Sequence, residues 1–180
     1  MEKERVIGTT NQENPKIQPS EIGFLLIVAS ILELFLQRLL PVGLQPDLLL
    51  AIVVYVGWNS VAVKGGITGS IFGLVRDNIL GLPFGLNGLS KTLIGFVASY
   101  LNRWIASESK LVRPAVLSLL AFSDRMILSA MLSLVGQSLP ESFWIYAVSE
   151  AVVTGAVSEM FFRFYNRFKL PPKNFRHLSS

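Results

Sequence analysis

Cysteine is absent from the 180 residues, so the chain holds no disulfide and no thiolate metal site. Histidine occurs once, as His177 in a polar C-terminal stretch, which removes the usual general base from any site among the apolar segments. Charged residues are sparse, at 16% of the chain, and they gather at its two ends and in short gaps. The apolar segments offer no Ser/His pair, no phosphate-binding loop, no metal-ligand cluster and no carboxylates paired at fixed spacing. These absences argue against an enzyme and imply no cofactor. There is no nucleic-acid motif. No apolar run begins before Ile22 and no small-residue cleavage site follows the first run, which speaks against a signal peptide.

What is present is a series of long apolar runs. The apolar fraction, 51%, is only slightly above that of an ordinary globular protein, but its arrangement, with a mean hydropathy of +0.52, fits an integral membrane protein. Six candidate spans follow one another: Ile22–Leu40, Pro46–Val63, Gly66–Leu82, Leu86–Ile105, Val112–Val135 and Phe143–Phe164. A helix needs about 20 apolar residues to cross the hydrocarbon. The third span is the shortest and carries adjacent Arg76 and Asp77, so it reads as the one most prone to tilt, break or re-enter. Pro41, Pro46, Gly65-Gly66, Pro83 and Pro140 stand in the gaps, where helices stop. The expected fold is all-α, a polytopic bundle of six transmembrane helices. Residues 1–20 form a flexible tail, 21–166 the membrane domain and 167–180 a basic tail.

Lys and Arg give the orientation. Twelve lie on the side of the two termini and one, Arg38, on the other, which places both termini in the cytoplasm. An odd number of spans would break this alternation. The basic C-terminal tail serves topology, with anionic-lipid binding as the sharper alternative.

Ionisable residues also occur inside the spans: Glu33, Arg76, Asp77, Lys91, Asp124, Arg125, Glu150 and Glu159. Each costs on the order of 3 kcal/mol at mid-bilayer by insertion scales. They should therefore face one another, a partner helix or a wet cavity. Gly69, Gly73, Asp77 and Gly81 recur every four residues, and Gly88, Lys91 and Gly95 form a matching seam on the next span. Asp77 and Lys91 each lie seven residues from Phe84 in the intervening turn, about 10 Å below it, so an ion pair between them is expected. Arg76 points about 100° away, toward Glu33 or a partner helix. Depth counting suggests an outer layer of Glu33, Asp77 and Lys91 and an inner one of Arg125 with Glu150. Such charges can glue helices together, form a partner or ligand site, or carry protons or ions, and the pattern alone leaves these readings open.

The run Pro46-Asp47-Leu48-Leu49-Leu50, then Gly69 and Gly73 four apart leading to Asp77, then Gly81, Pro83, Gly85 and Leu86, then Gly95-Phe96, is similar to the MreD family of bacterial rod shape-determining membrane proteins. The matched stretch covers Pro46 to Leu101, about a third of the chain. The resemblance implies a non-enzymatic subunit of the cell-elongation machinery in the bacterial inner membrane. Such a subunit binds the single-span protein MreC. Through it, cytoplasmic MreB filaments are linked to a glycosyltransferase and transpeptidase pair that builds peptidoglycan. The family fold also resembles the substrate-binding subunits of energy-coupling-factor vitamin transporters, which supplies the alternative of a small-molecule uptake subunit. A sealed, self-paired outer layer would favour the scaffold, and an open, aromatic-lined pocket would favour uptake.

Overall fold

The computed structural model describes residues 18–41, 43–104, 112–137 and 141–169. Of the tails expected at 1–20 and 167–180, residues 1–17 and 170–180, with His177, lie outside the described residues, as do Lys110 and Pro140, while residues 19–20 begin α1 and 167–169 end α6. Among the described residues there are six helices and no strand: α1 (Pro19–Leu39), α2 (Leu48–Trp58), α3 (Ala62–Leu80), α4 (Leu86–Trp104), α5 (Val112–Leu134) and α6 (Phe143–Lys169). α1, α5 and α6 are long and apolar enough to cross a membrane. α3 and α4, at 19 residues each, are diluted by glycine and polar side chains.

Large apolar side chains cover much of the exterior, and a set of charged side chains lies inside beside an apolar core. Phe24, Ile31, Ile71, Leu89, Ile145 and Met160 point outward, whereas Glu33, Asp47, Arg76, Lys91 and Asp124 are buried. In water the exposed apolar side chains and the buried charges would both be unfavourable. In a bilayer the same distribution buries the groups that lipid cannot solvate.

α2 is the axis. Its ten residues from Leu49 to Trp58 are all buried, enclosed by α1, α3, α4 and α6. At its far end Tyr55 packs edge-on to Phe162, with ring centroids 4.6 Å apart, and touches Phe161 and Tyr165. The sequence suggested a full second span and a short or broken third. The structure reverses this. α3 runs unbroken, and α2, with 11 residues and about 16 Å of length, is the short helix. Pro46 stops α2 from extending backward, and Asp47 caps it by accepting the Leu50 N–H at 2.7 Å. A helix of about half the bilayer's thickness is tolerated because protein surrounds it.

α3 lies across the backbone of α4 with almost no side chain between them. A Cβ on Gly69 would strike the Lys91 carbonyl and stand 2.8 Å from the Thr92 nitrogen. One on Gly73 would strike the Asn87 carbonyl and Gly88 Cα, and one on Gly95 the Gly65 carbonyl. α2 joins the same crossing through Gly57, whose added Cβ would lie 2.6 Å from the Gly95 oxygen. Ser99 donates to the Gly57 carbonyl there at 2.8 Å. Gly81 does something else. The four-residue repeat put it on the packing seam, but it lies beyond α3 and a Cβ there would meet nothing within 4 Å. Its left-handed backbone (φ 63°) ends the helix, with the Leu82 N–H returning to the Asp77 carbonyl at 3.0 Å in a Schellman turn.

Candidate functional site

Five helices and the α1–α2 connection meet in one buried charge network. Its centre is Asp47, 2% exposed. One carboxylate oxygen, Oδ1, caps α2 and lies 2.5 Å from Arg76 Nη1. The other, Oδ2, accepts from Lys91 Nζ at 2.6 Å and lies 4.0 Å from Arg125 Nη2. The Asp47 N–H donates to the Thr154 hydroxyl of α6 at 3.0 Å. A single residue at a helix start thus ties α2 to α3, α4, α5 and α6.

Lys91 is fully buried and bridges Asp47 to Asp124 of α5, 2.9 Å away. Asp124 in turn accepts from the Ser90 hydroxyl at 2.5 Å. Arg76 forms an ion pair with Glu33 of α1 and reaches Glu150 of α6 at 3.5 Å. Arg125 pairs with Glu150. Charges withdrawn from water need partners, and a network spanning five helices supplies more of them than a single pair could. Glu33 and Lys91 of the inferred outer layer and Arg125 and Glu150 of the inner one therefore belong to one network, connected by Arg76 and Asp47, with Asp77 outside it. Glu159 stands apart, paired with Arg163 one turn along α6.

Asp77 does not pair with Lys91. It is fully buried and turned toward the start of α4, where its carboxylate accepts the N–H groups of Gly85 at 2.8 Å, Asn87 at 3.0 Å and Gly88 at 3.4 Å. The Asn87 side-chain amide adds a fourth bond at 2.9 Å. The unpaired N–H groups and positive dipole end of α4 are a ready partner for a carboxylate. Counting depth from Phe84 treated the non-helical turn as helix and overlooked those donors. Lys91 turns its backbone to α3 and its side chain to α2 and α5.

Asp77→Ala is expected to cost about 1–2 kcal/mol as a lost cap. Asp77→Asn, which keeps an acceptor, should cost less. Because the two residues share no partner, the Asp77→Ala and Lys91→Met losses should add within about 0.5 kcal/mol in thermal unfolding of the detergent-solubilised protein.

Four other residues carry more than the sequence indicated. Asp47 figured only in the family resemblance. Its place just before an apolar run is an N-cap signature that could have marked it. Ser90, Thr154 and Asn87 gave no comparable signal, since their roles depend on which helices become neighbours. Pro83 and Gly85 belong to the α3–α4 turn, where Gly85 is left-handed at φ 101° and presents its N–H to Asp77.

Beside the network, at the end where α1 and α3 finish and α2 begins, is a cavity of about 170 Å³. Glu33, Gln37, Arg76, Arg125 and Glu150 line it together with Leu36, Gly43, Gln45, Pro46 and Leu80. Among the described residues no aromatic side chain lines it.

No curated protein and no solved structure matches this chain. A family model for the rod shape-determining protein MreD matches residues 18–168. That interval begins one residue before α1, ends one before the close of α6 and contains every member of the charge network. On that match, the chain belongs to the MreD family of rod shape-determining membrane proteins.

Proposed function

We propose that this protein is a non-enzymatic subunit of the cell-elongation complex. It crosses the bacterial inner membrane six times with both termini in the cytoplasm, binds MreC and helps couple MreB filaments to peptidoglycan synthesis. The observation that carries the reading is the self-paired interior. The charges pair with one another across helices, as a scaffold requires, and the cavity beside them is smaller than the roughly 300 Å³ or more of usual ligand pockets and, among the described residues, has no aromatic wall. Both features disfavour the vitamin-uptake alternative. The six crossings and their direction rest on the twelve-to-one bias of Lys and Arg.

Crosslinking in native membranes followed by affinity capture should recover MreC as the dominant partner, and deletion should round or widen the cells. Reporter fusions after Gly85 should read as outside and fusions after Ser109 as inside. Rod-shaped deletion cells with a specific nutrient requirement would reverse the assignment in favour of uptake, and an outside signal after Ser109 would sink the topology.

A further inference from the structure

The buried network does not balance. It joins four acids, Glu33, Asp47, Asp124 and Glu150, to three cations, Arg76, Lys91 and Arg125. With every group ionised it carries one net negative charge. None of the seven side chains is more than 15% exposed, so solvent does little to relieve that charge. An uncompensated charge in such a place is strongly unfavourable. The nearby Asp77 offers no relief, since it is itself an acid and is held by the start of α4.

The imbalance falls on Glu33. Asp124 has Lys91 and the Ser90 hydroxyl, Asp47 has Lys91, Arg76 and the Leu50 N–H, and Glu150 has Arg125. Glu33 has a single cation, Arg76, which it shares with Asp47 and Glu150. The Leu49 N–H also bonds its carboxyl. Even so, Oε2 of Glu33 is left without a hydrogen-bond partner, on a residue 2% exposed. An ionised oxygen so placed is costly, and a neutral carboxyl much less so.

We infer that the network holds one bound proton at neutral pH, on the Glu33 carboxyl. The proton leaves three charged acids against three cations. Arg76 then donates a hydrogen bond to a neutral acid and keeps Asp47 and Glu150 as its charged partners. α1 carries no charge between Glu21 and Arg38. Oε2 is sealed from solvent, which leaves no room for a larger cation. Exchange with solvent runs past Glu150 and Arg125, whose side chains, 14% and 15% exposed, are the most open of the network.

The test is the infrared spectrum of the full chain at neutral pH in a maltoside detergent, which has no ester carbonyl of its own. One protonated-carboxyl band is expected, and Glu33→Gln should remove it. Asp124→Asn should abolish the same band with Glu33 intact, because three acids then face three cations. Lys91 keeps Asp47 in that variant. Should it not fold, Glu150→Gln produces the same count. Glutamine also resembles a neutral glutamic acid, so Glu33→Gln should move the thermal midpoint by less than about 4 °C, whereas stranding Arg76 from an ionised partner would lower it by roughly 6–20 °C. The absence of a band, a band that survives Glu33→Gln, a band unchanged when a second acid is neutralised, or the larger drop in midpoint for Glu33→Gln would each overturn the proposal.

Discussion

Asp47→Ala is expected to remove most of the folded protein from the membrane. The substitution leaves Arg76 and Lys91 short of the carboxylate that both share, and it deletes the cap of α2. Breaking a buried pair costs about 3–5 kcal/mol, and losing a cap about 1 kcal/mol more. Against a typical total stability of about 5–15 kcal/mol, that leaves little margin. Asp47→Asn should fall between, because its amide oxygen still accepts the Leu50 N–H while the charge is gone. Immunoblots of tagged protein in membranes, with unfolding curves in detergent, give the ranking. Wild-type accumulation of the alanine variant would show that the network has another centre.

The second large effect concerns Lys91 and Asp124. Lys91→Met alone strands Asp124, which then keeps only Ser90, while Asp47 retains Arg76. Adding Asp124→Leu removes the stranded acid and leaves the network's net charge as it was. The double variant should therefore be more stable than Lys91→Met alone, with a coupling of about 1–3 kcal/mol. Replacing a buried ion pair by apolar side chains of similar volume is often close to neutral. Additive losses would mean that Lys91 serves Asp47 alone.

The six helices were readable because apolar length is a local signal, and their ends because proline and glycine act locally. The close crossing of α3 and α4 was readable from the spacing of Gly69, Gly73, Gly88 and Gly95. Helix phase and depth also gave the Arg76–Glu33 and Arg125–Glu150 pairs, but much else that the third dimension sets escaped. Hydropathy cannot tell a full-length helix from a short one sheathed by protein, so α2 looked like a helix of ordinary length. The small-residue rhythm ran on through Gly81, where the backbone had already left the helix. Asp77 and Lys91 shared a depth but not a direction. Choosing a partner for a buried carboxylate also requires counting backbone N–H groups, which have no letter in the sequence.

α1 is tied to the rest of the bundle by few groups: of its 21 residues only Ala29 and Glu33 are buried. Glu33's ion-pair partner, Arg76, lies 43 residues further along the chain. During synthesis at about 5–20 residues per second, α1 is made roughly 2–9 s before that partner exists. For that interval Glu33 sits in an otherwise lipid-compatible helix without its counterion, at a cost on the order of 3 kcal/mol if ionised at mid-bilayer. The first helix can enter the membrane early, but it cannot settle into place until the third has been translated. Order of appearance and order of assembly are thereby uncoupled, and the ribosome's pace sets how long the earliest element must wait.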